Sequence, residues 1–276
     1  MSCECPELIK ISRIHTFFKA DFKTDYSFDG ERHNWWEFVF VINGRVGVTA
    51  DSSVYTLERG QAVIHRPNEF HKIRSESSTE PTVIVVSFSA DCFPDFEGRV
   101  FNTDLSQIEE IQNLFDLSEK YFDRNNIYIE SKSGNNIFAV QKFWLRLELL
   151  IFSVITKTST SPALSRGLKS ADLYSAVVKF MEQNYALGLC TGDIAKNFSI
   201  SVAYLKKIFL KYSGCGVMQY YNRLRARIAC TYLDNGKSVK ETADLLGFAD
   251  QNYFSTFFKR TMGKSPTEFK KTSISD

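Results

Sequence analysis

The chain has 276 residues, of which 43% are hydrophobic and 24% are charged, and this composition excludes a largely disordered protein. At about 150 residues per domain, the length predicts two domains. No apolar run approaches the ~18 residues of a membrane-spanning helix, and the first residues lack the apolar core of a secretory signal. We therefore expect a cytoplasmic protein that does not contact a membrane.

Charge is unevenly distributed along the chain, although the net charge is only +2. Residues 167–276 carry 16 basic and 9 acidic side chains, whereas the remaining residues carry 18 and 23. A polyanion such as nucleic acid is therefore expected to meet the C-terminal part of the chain.

Short β-strands are predicted from Glu37 to Phe88. The run Glu37–Ile42 is β-branched and aromatic, and Asn43-Gly44 after it is a strong signal for a hairpin turn. Further short apolar runs follow, separated by Gly, Pro and Asn. This pattern is typical of a small antiparallel barrel, which can enclose one small ligand. We assign residues 1–95 to this domain.

Helical periodicity begins at Leu105 and continues to about Ile155. Helices this apolar either pack against the barrel or form a dimer seam, and the sequence leaves both alternatives open. We assign residues 96–157 to a helical dimerisation or packing segment. Residues 158–168 are rich in Ser and Thr with a Pro, and we interpret them as a linker.

A duplicated helix-turn-helix pattern occupies the last domain, residues 169–276, with units at about 188–213 and 238–262. The first helices of the two units align at an offset of 48 residues and the second helices at 49, so one residue is inserted in the second turn. The aligned pairs are Ala195 with Ala243, Leu205 with Phe254, Phe209 with Phe258, and Gly214 with Gly263. Ser201 and Asp250 stand at the expected N-caps.

The stretch Ala243–Arg260, followed by Gly263–Phe269, resembles the C-terminal signature of the AraC/XylS transcription regulators. The first unit and Tyr221–Arg225 match other positions of that family, and the resemblance covers about the last 105 residues. It departs at Cys215 and Gly216. The resemblance implies a bacterial regulator that binds double-stranded DNA, usually an activator that works with RNA polymerase, and a homodimer.

The face of each second helix that lies opposite its apolar stripe is expected to contact DNA, because the stripe itself is buried. The candidates for base contacts, which also match the family's base-contacting positions, are Ala203, Lys206, Lys207, Gln251, Asn252, Ser255 and Thr256. The candidates for phosphate contacts are Lys211, Arg223, Arg225, Lys259 and Arg260. Each of these basic residues could instead form a structural ion pair or stay solvated.

The strand region is similar to a cupin-type sensor domain. The residues that carry this resemblance are His33, Glu37, Gly44, Gly60, Pro67 and His71. Two histidines and a glutamate could bind a metal, as in metal-dependent cupin enzymes. Glu31 stands where that pattern has its first histidine, and we therefore expect no metal and no cofactor.

A small effector is expected to bind inside this barrel. The candidates for its pocket are His33, Trp35, Trp36, Glu37, Arg45 and His71. Because side chains alternate along a strand, only one of the two adjacent tryptophans can face the interior. A flat ring beside a few polar groups suits a sugar or another small organic molecule.

The sequence thus predicts an α+β multidomain protein, with an N-terminal antiparallel β-barrel of the cupin or jelly-roll kind, flanking helices, and an all-α C-terminal domain. We expect a DNA-binding regulator that responds to a small effector such as a carbohydrate, and not an enzyme. Two alternatives remain open: a metal-dependent cupin enzyme with a basic DNA-binding tail, and a regulator that is controlled by a protein partner and has a vestigial barrel.

Overall fold

A computed structural model describes residues 7–76, 78–94, 99–124, 129–131, 136–157 and 169–273. The chain divides into two compact units, Met1–Gly167 and Leu168–Asp276. The linker assigned to residues 158–168 lies outside the described residues. Within the described part, no helix is both long enough and apolar enough to cross a membrane.

The N-terminal unit is built from antiparallel strands. They are β1 (Lys10–Asp21), β2 (Trp36–Asn43), β3 (Arg45–Ala50), β4 (Ser53–Glu58), β5 (Gln61–His65), β6 (His71–Ser75), β7 (Thr82–Cys92), β8 (Val100–Asn102), β9 (Phe122–Arg124) and β10 (Ile129–Ser131). One sheet has the order β1-β7-β2-β5-β8, a second has the order β4-β3-β6, and β9 pairs with β10. The predicted antiparallel, cupin-like fold class is confirmed.

Strand β2 is apolar on both of its faces because it lies between two packed layers. Phe38 and Phe40 belong to a core that the large sheet shares with two helices. Val39 and Val41 point the other way, into a second core between the two sheets. All four side chains are at most 3% exposed, which explains why the run 37–42 shows no polar alternation.

Two helices, α1 (Leu105–Tyr121) and α2 (Ile137–Ile155), cover the outer face of the large sheet. Leu114 of α1 and Leu147 of α2 are fully buried there. Helix α2 also has large apolar side chains that this packing leaves exposed, namely Ile137, Phe138, Leu145, Leu149 and Phe152. Among the described residues of the N-terminal unit, internal packing therefore explains one face of α2 and leaves its opposite face uncovered.

The structure corrects three expectations about the barrel. Asn43-Gly44 is a turn, with Gly44 at φ +73°, but β2 and β3 on either side of it belong to different sheets, so it is not a hairpin. Strand β1 was not predicted, because its buried residues are irregularly spaced around bulges in the pairing with β7. Strand β8 pairs with β5. Residues 100–102, which the sequence analysis assigns to the helical segment, therefore belong to the large sheet of the barrel.

The C-terminal unit is helical. Its helices are α3 (Lys169–Gln183), α4 (Thr191–Asn197), α5 (Val202–Ser213), α6 (Val217–Asp234), α7 (Val239–Leu245), α8 (Gln251–Met262) and α9 (Pro266–Ser273). The small side chains of Ala226 and Ala229 on α6 and Ala243 on α7 form one buried core with the phenylalanines of α8. Their size lets these helices approach closely.

The duplication seen in the sequence has a direct structural counterpart. Helices α4 and α7 have 7 residues each, and helices α5 and α8 have 12 each. Four residues (198–201) separate the first pair and five (246–250) the second, so the extra residue lies in the second turn. Gly214 and Gly263 end α5 and α8 in the left-handed conformation, at φ +65° and +79°.

Candidate functional site

The N-termini of α5 and α8 are held in the same way. The side chain of Ser201 accepts a hydrogen bond from the backbone N–H of Tyr204, and that of Asp250 accepts one from the N–H of Tyr253. Each cap satisfies a donor that the first turn of a helix leaves unpaired. Both helices therefore begin at a defined residue, and the side chains that follow have a fixed direction.

Each of these two helices buries one stripe and exposes the opposite face. Helix α5 buries Leu205, Ile208, Phe209 and Tyr212, and α8 buries Phe254, Phe257 and Phe258. Six of the seven candidates for base contacts are exposed and one, Ser255, is half-buried. The exposed ones are Ala203, Lys206, Lys207, Gln251, Asn252 and Thr256. All seven lie in the first half of their helix, the part of a recognition helix that reaches base edges.

Two exposed tyrosines on these faces were missed by the sequence reasoning. Tyr253 is 67% exposed and Tyr204 is 40% exposed. They occupy the third position of α8 and α5, and the offset of 49 residues that aligns Leu205 with Phe254 also aligns the two tyrosines. A large exposed aromatic residue repeated at one position of a duplicated helix was the signal that could have identified them.

Four of the candidates for phosphate contacts are exposed: Lys211, Arg223, Lys259 and Arg260. Arg223 on α6 and Arg260 on α8 line one shallow polar cavity, together with Gln219, Asn222 and Thr261. Two guanidinium groups beside amide and hydroxyl groups suit a phosphate oxygen, because all of these side chains can donate hydrogen bonds.

Arg225, the fifth phosphate candidate, has a different role. It is buried, at 8% exposure, and its Nη2 donates a hydrogen bond of 2.7 Å to the backbone O of Leu246. Its guanidinium also lies 4.1 Å from the ring centroid of Phe248. Burial lowers its pKa from the usual value. Arg225 holds the domain together and is not available to DNA, so this assignment was wrong.

The barrel encloses a cavity of about 300 Å³. Aromatic residues form much of its wall, and the rings of Phe22 and Tyr26 stack with centroids 4.0 Å apart. Glu31, Glu37, His65 and His71 contribute the polar lining, with Lys72. The cavity thus combines an apolar, aromatic wall with a cluster of ionisable side chains, which is the usual composition of a small-molecule site.

The ionisable side chains meet at one end of the cavity. His71 Nε2 lies 3.4 Å from Glu37 Oε1 and 3.6 Å from Glu31 Oε1, and His33 Nε2 lies 3.5 Å from Glu37 Oε2. Burial would raise the pKa of Glu37, but the contact with His33 and the charges of the nearby histidines together lower it. Burial would lower the pKa of His71, but Glu31 and Glu37 together raise it.

A buried chain of polar contacts leads from this cluster to the edge of the large sheet. The rings of His71 and His65 stack with centroids 4.5 Å apart, and His65 Nδ1 lies 3.3 Å from Glu69 Oε2. The other carboxylate oxygen of Glu69 pairs with Arg99, which stands next to β8. Burial lowers the pKa of His65. The aromatic residues of the wall were not among the predicted pocket residues.

The six predicted pocket residues divide into three groups. Glu37 and His71 line the cavity, and His33 contacts Glu37 behind them. Trp35 stacks on His33 with centroids 4.6 Å apart and does not itself line the cavity. Trp36 and Arg45 were wrong: Trp36 packs on Phe93 at the helix-covered core, and exposed Arg45 pairs with Glu58.

Four of the ionisable side chains at this end of the cavity have the composition of a metal site. One ligand atom each from Glu31, His33, Glu37 and His71 lies within 4.8 Å of the other three. The Nε2 atoms of both histidines are buried and have no hydrogen-bond partner. Buried polar nitrogens are normally paired, so these residues fit a divalent cation, and Glu31 stands among them as a carboxylate in place of a histidine.

Comparison with known protein families agrees with both halves of the structure. A family model described as "Helix-turn-helix domain" matches residues 194–272, and one described as "Cupin domain" matches residues 21–88. The first match contains both α5 and α8, and the second contains strands β2 to β6, which lie around the cavity. The chain thus combines a helix-turn-helix domain with a cupin domain.

Several transcription regulators are similar to this chain. The regulator YijO of Escherichia coli is 34% identical over 104 residues, 37% of each chain. The activator RhaR of Mannheimia succiniciproducens is 29% identical over 151 residues, 54% of this chain and 53% of its own. The Msm operon regulatory protein of Streptococcus mutans is 36% identical over 96 residues, 34% of each chain. The chain therefore spans between about a third and half of the length of these curated relatives.

Solved structures to which this chain is similar include ToxT from Vibrio cholerae with a bound unsaturated fatty acid. It is 19% identical, with 95% of this chain and 96% of that chain covered and a TM-score of 0.35. The C-terminal domain of the response regulator AraT from Geobacillus stearothermophilus is 23% identical, with 38% and 88% covered and a TM-score of 0.36.

Proposed function

We propose that this protein is a transcription regulator that binds a specific DNA sequence through α5 and α8. The observation that carries this proposal is the repetition of one helix. Helices α5 and α8 have equal length and equivalent N-caps, and each exposes polar side chains in its first half. Two recognition helices of one protein commonly enter neighbouring major-groove segments, about 34 Å or one DNA turn apart.

The chemistry of the two exposed faces supports different kinds of base contact. Gln251 and Asn252 on α8 can each form two hydrogen bonds to an adenine, whereas Lys206 and Lys207 on α5 can donate to a guanine. The basic groups around α6 and α8 would contact phosphates and give affinity without sequence preference. Specificity is therefore expected from the helix faces, and salt-dependent affinity from Arg223, Lys259 and Arg260.

A small organic effector bound in the barrel cavity is proposed to control this activity. The cavity is large enough for a molecule of the size of a simple sugar, and it offers aromatic rings for stacking and carboxylates for hydroxyl groups. A cavity of this kind also speaks against the alternative of a vestigial barrel. Such a ligand acts only if it binds two states of the protein with different affinity.

The working unit is proposed to be a homodimer in the cytoplasm that activates transcription together with RNA polymerase. The exposed apolar face of α2 supports the dimer, since Phe138, Leu145, Leu149 and Phe152 recur at spacings that place them on one side of the helix. A second copy of α2 would remove this face from water.

Selection of a binding site from random DNA, followed by titration of variants, tests the regulator proposal. Replacing Gln251 and Asn252 together by Ala should weaken binding to the selected site by about 1–3 kcal/mol per lost base contact. Binding to scrambled DNA should hardly change. Glu58→Gln, on strand β4 of the N-terminal unit, is the matched control. Failure to select any sequence, or equal losses on both DNAs, would refute the proposal.

The rival function with an observation in its favour is a metal-dependent enzyme, because four potential ligands meet in the cavity. The same four side chains would suit a catalytic ion and an ion that takes part in ligand binding. A regulator predicts that occupancy of the cavity changes DNA affinity. If the protein is instead an enzyme, a small molecule bound in the cavity should be released in a chemically altered form. Mass spectrometry of the recovered ligand would detect this change.

A further inference from the structure

We propose that the hydroxyl groups of Tyr204 and Tyr253 each donate a hydrogen bond to a phosphate oxygen of bound DNA and thereby orient α5 and α8 on the duplex. This inference rests on the proposed function. Its starting point is the duplication of one exposed aromatic residue. The tyrosines are the third residues of their helices, they are 40% and 67% exposed, and they align at the same offset as the buried pair Leu205 and Phe254.

The hydroxyl groups of these two tyrosines are not used inside the protein. Within the described part of the chain, neither Tyr204 nor Tyr253 makes a hydrogen bond through its hydroxyl. By contrast, the hydroxyls of Tyr185 and Tyr232 bond to each other at 2.7 Å, and that of Tyr221 donates to a backbone oxygen at 2.8 Å. The repeated pair therefore presents two unused donors to the solvent.

The position of each tyrosine around its helix places it beside the DNA backbone. Successive residues of an α-helix are about 100° apart, so Tyr253 lies about a quarter of a turn from Asn252, which is opposite the buried stripe. Tyr204 has the same relation to Ala203. A helix about 10–12 Å across fills the major groove, which is about 12 Å wide. Side chains opposite the stripe then reach base edges, and those a quarter of a turn away meet a sugar-phosphate strand.

A basic residue stands on the same side of each helix. Lys211 follows Tyr204 by seven positions and Arg260 follows Tyr253 by seven, which is close to two helical turns. Both basic residues are exposed and lie in the last turn of their helices, and Arg260 lines the polar cavity with Arg223. Each helix thus has one side with a hydroxyl near its start and a cation near its end, which suits the repeating negative charge of a DNA strand.

The ring of Tyr253 is supported by the turn that precedes α8. Its centroid lies 5.8 Å from that of Phe248, and the guanidinium of Arg225 lies 4.1 Å from the Phe248 ring centroid. The backbone N–H of Tyr253 is held by the cap residue Asp250. A side chain restricted in this way loses less conformational freedom when its hydroxyl meets a phosphate.

A neutral hydroxyl at a phosphate has a distinct experimental signature. Hydrogen bonds to phosphates set the register and orientation of a protein on the duplex without reading its sequence. A lysine or arginine at a phosphate also releases a counterion, which makes its contribution depend on salt, whereas an uncharged tyrosine releases none. The ordinary alternative is that both tyrosines are surface side chains that do not touch DNA.

The experiment titrates the intact protein on the selected DNA site and on a scrambled duplex of the same length. Tyr204→Phe and Tyr253→Phe should each weaken binding to both duplexes by about three- to tenfold. The preference for the selected site and the slope of log affinity against log salt should not change. The melting temperature should also stay the same, because neither hydroxyl is bonded within the described part of the protein. Tyr232→Phe, which removes a hydroxyl bonded inside the same unit, is the matched control and should bind both duplexes like the wild type.

Replacement of single phosphates of the selected site by uncharged methylphosphonates locates each contact. One of the replacements that weaken binding of the wild type should have little further effect on Tyr253→Phe, because both changes remove the same hydrogen bond. Wild-type affinity in both Phe variants overturns the proposal, as does a loss confined to the selected sequence or losses that add at every phosphate. Binding of DNA without selection of any sequence would count against the proposed function alone, since the scrambled duplex still measures the tyrosine contacts.

Discussion

The Nη2 atom of Arg225 donates a hydrogen bond of 2.7 Å to the backbone O of Leu246, and this contact ties helix α6 to the end of helix α7. Leu246 is fully buried and stands at the start of the second turn. The guanidinium also lies over the ring of Phe248, which stands in the turn between α7 and α8. One arginine of α6 thereby positions the turn that leads into helix α8.

Replacing Arg225 by Ala should destabilise the C-terminal unit by about 2 kcal/mol, because the carbonyl of Leu246 loses its partner in a buried place. Differential scanning calorimetry of the intact protein should show the transition of the C-terminal unit shifted down by roughly 10 °C. Arg225→Lys should recover little, since an ammonium group cannot form the same stacked, planar contact with Phe248. An unchanged melting temperature in Arg225→Ala would contradict this role.

Arg223, two positions earlier on α6 and exposed, should behave in the opposite way. Arg223→Ala should leave stability within about 0.5 kcal/mol of the wild type, as expected of an exposed side chain. It should weaken binding to all DNA sequences alike and reduce the slope of log affinity against log salt by about 1. Fluorescence titrations at several salt concentrations measure this slope. A sequence-dependent loss would place Arg223 at a base instead.

Gly247 is required by both backbone conformation and space. Its φ is +71°, and a Cβ added there would lie 1.9 Å from the backbone O of Ala186. Gly247→Ala should therefore destabilise the unit by more than about 2 kcal/mol, since neither atom can move easily. Gly236→Ala is the control: its φ is +85°, but nothing lies within 4 Å of the added Cβ. It should cost only the strain of a left-handed alanine, about 1 kcal/mol. Equal losses in chemical denaturation would refute the steric argument.

The exposed face of α2 should mediate self-association. Leu145 and Leu149 are 56% and 66% exposed, and replacing both by Glu should shift the protein toward monomer in sedimentation velocity at micromolar concentration. Leu8→Glu, an exposed apolar residue of the same unit outside α2, is the control and should leave the association state unchanged. A monomeric wild-type protein, or a dimer that survives both substitutions, would contradict the interface.

Most of the helical half could be predicted from the sequence because local signals and tertiary packing agree there. Ser201 and Asp250 are caps by residue type, and the structure shows both accepting the expected hydrogen bonds. The apolar stripe of α8 is legible in the spacing of Phe254, Phe257 and Phe258. The sequence is less informative for helix α2 of the N-terminal unit, because a sequence pattern shows that a face is apolar and does not show what covers it.

The barrel was harder to predict because strands such as β2 are buried on both faces, which removes the alternation that shows to which face each side chain points. Trp36 therefore could not be placed on the helix-covered face from the sequence, and the turn at Gly44 could not be recognised as a passage between sheets. Arg225 shows that the position of a charged residue is also hard to predict. A basic residue on an amphipathic helix is expected to face solvent, and packing overrides that expectation. The meeting of Glu31 with His71 depends on a bridge between segments 40 residues apart.

The most direct test of the central claim is a footprint at base resolution of the intact protein on its selected DNA site. The account predicts two protected major-groove segments whose centres lie about one helical turn apart. Lys206→Ala with Lys207→Ala should remove one segment, and Gln251→Ala with Asn252→Ala should remove the other. A single protected segment, or the loss of both segments in either double variant, would contradict the account of two independent recognition helices.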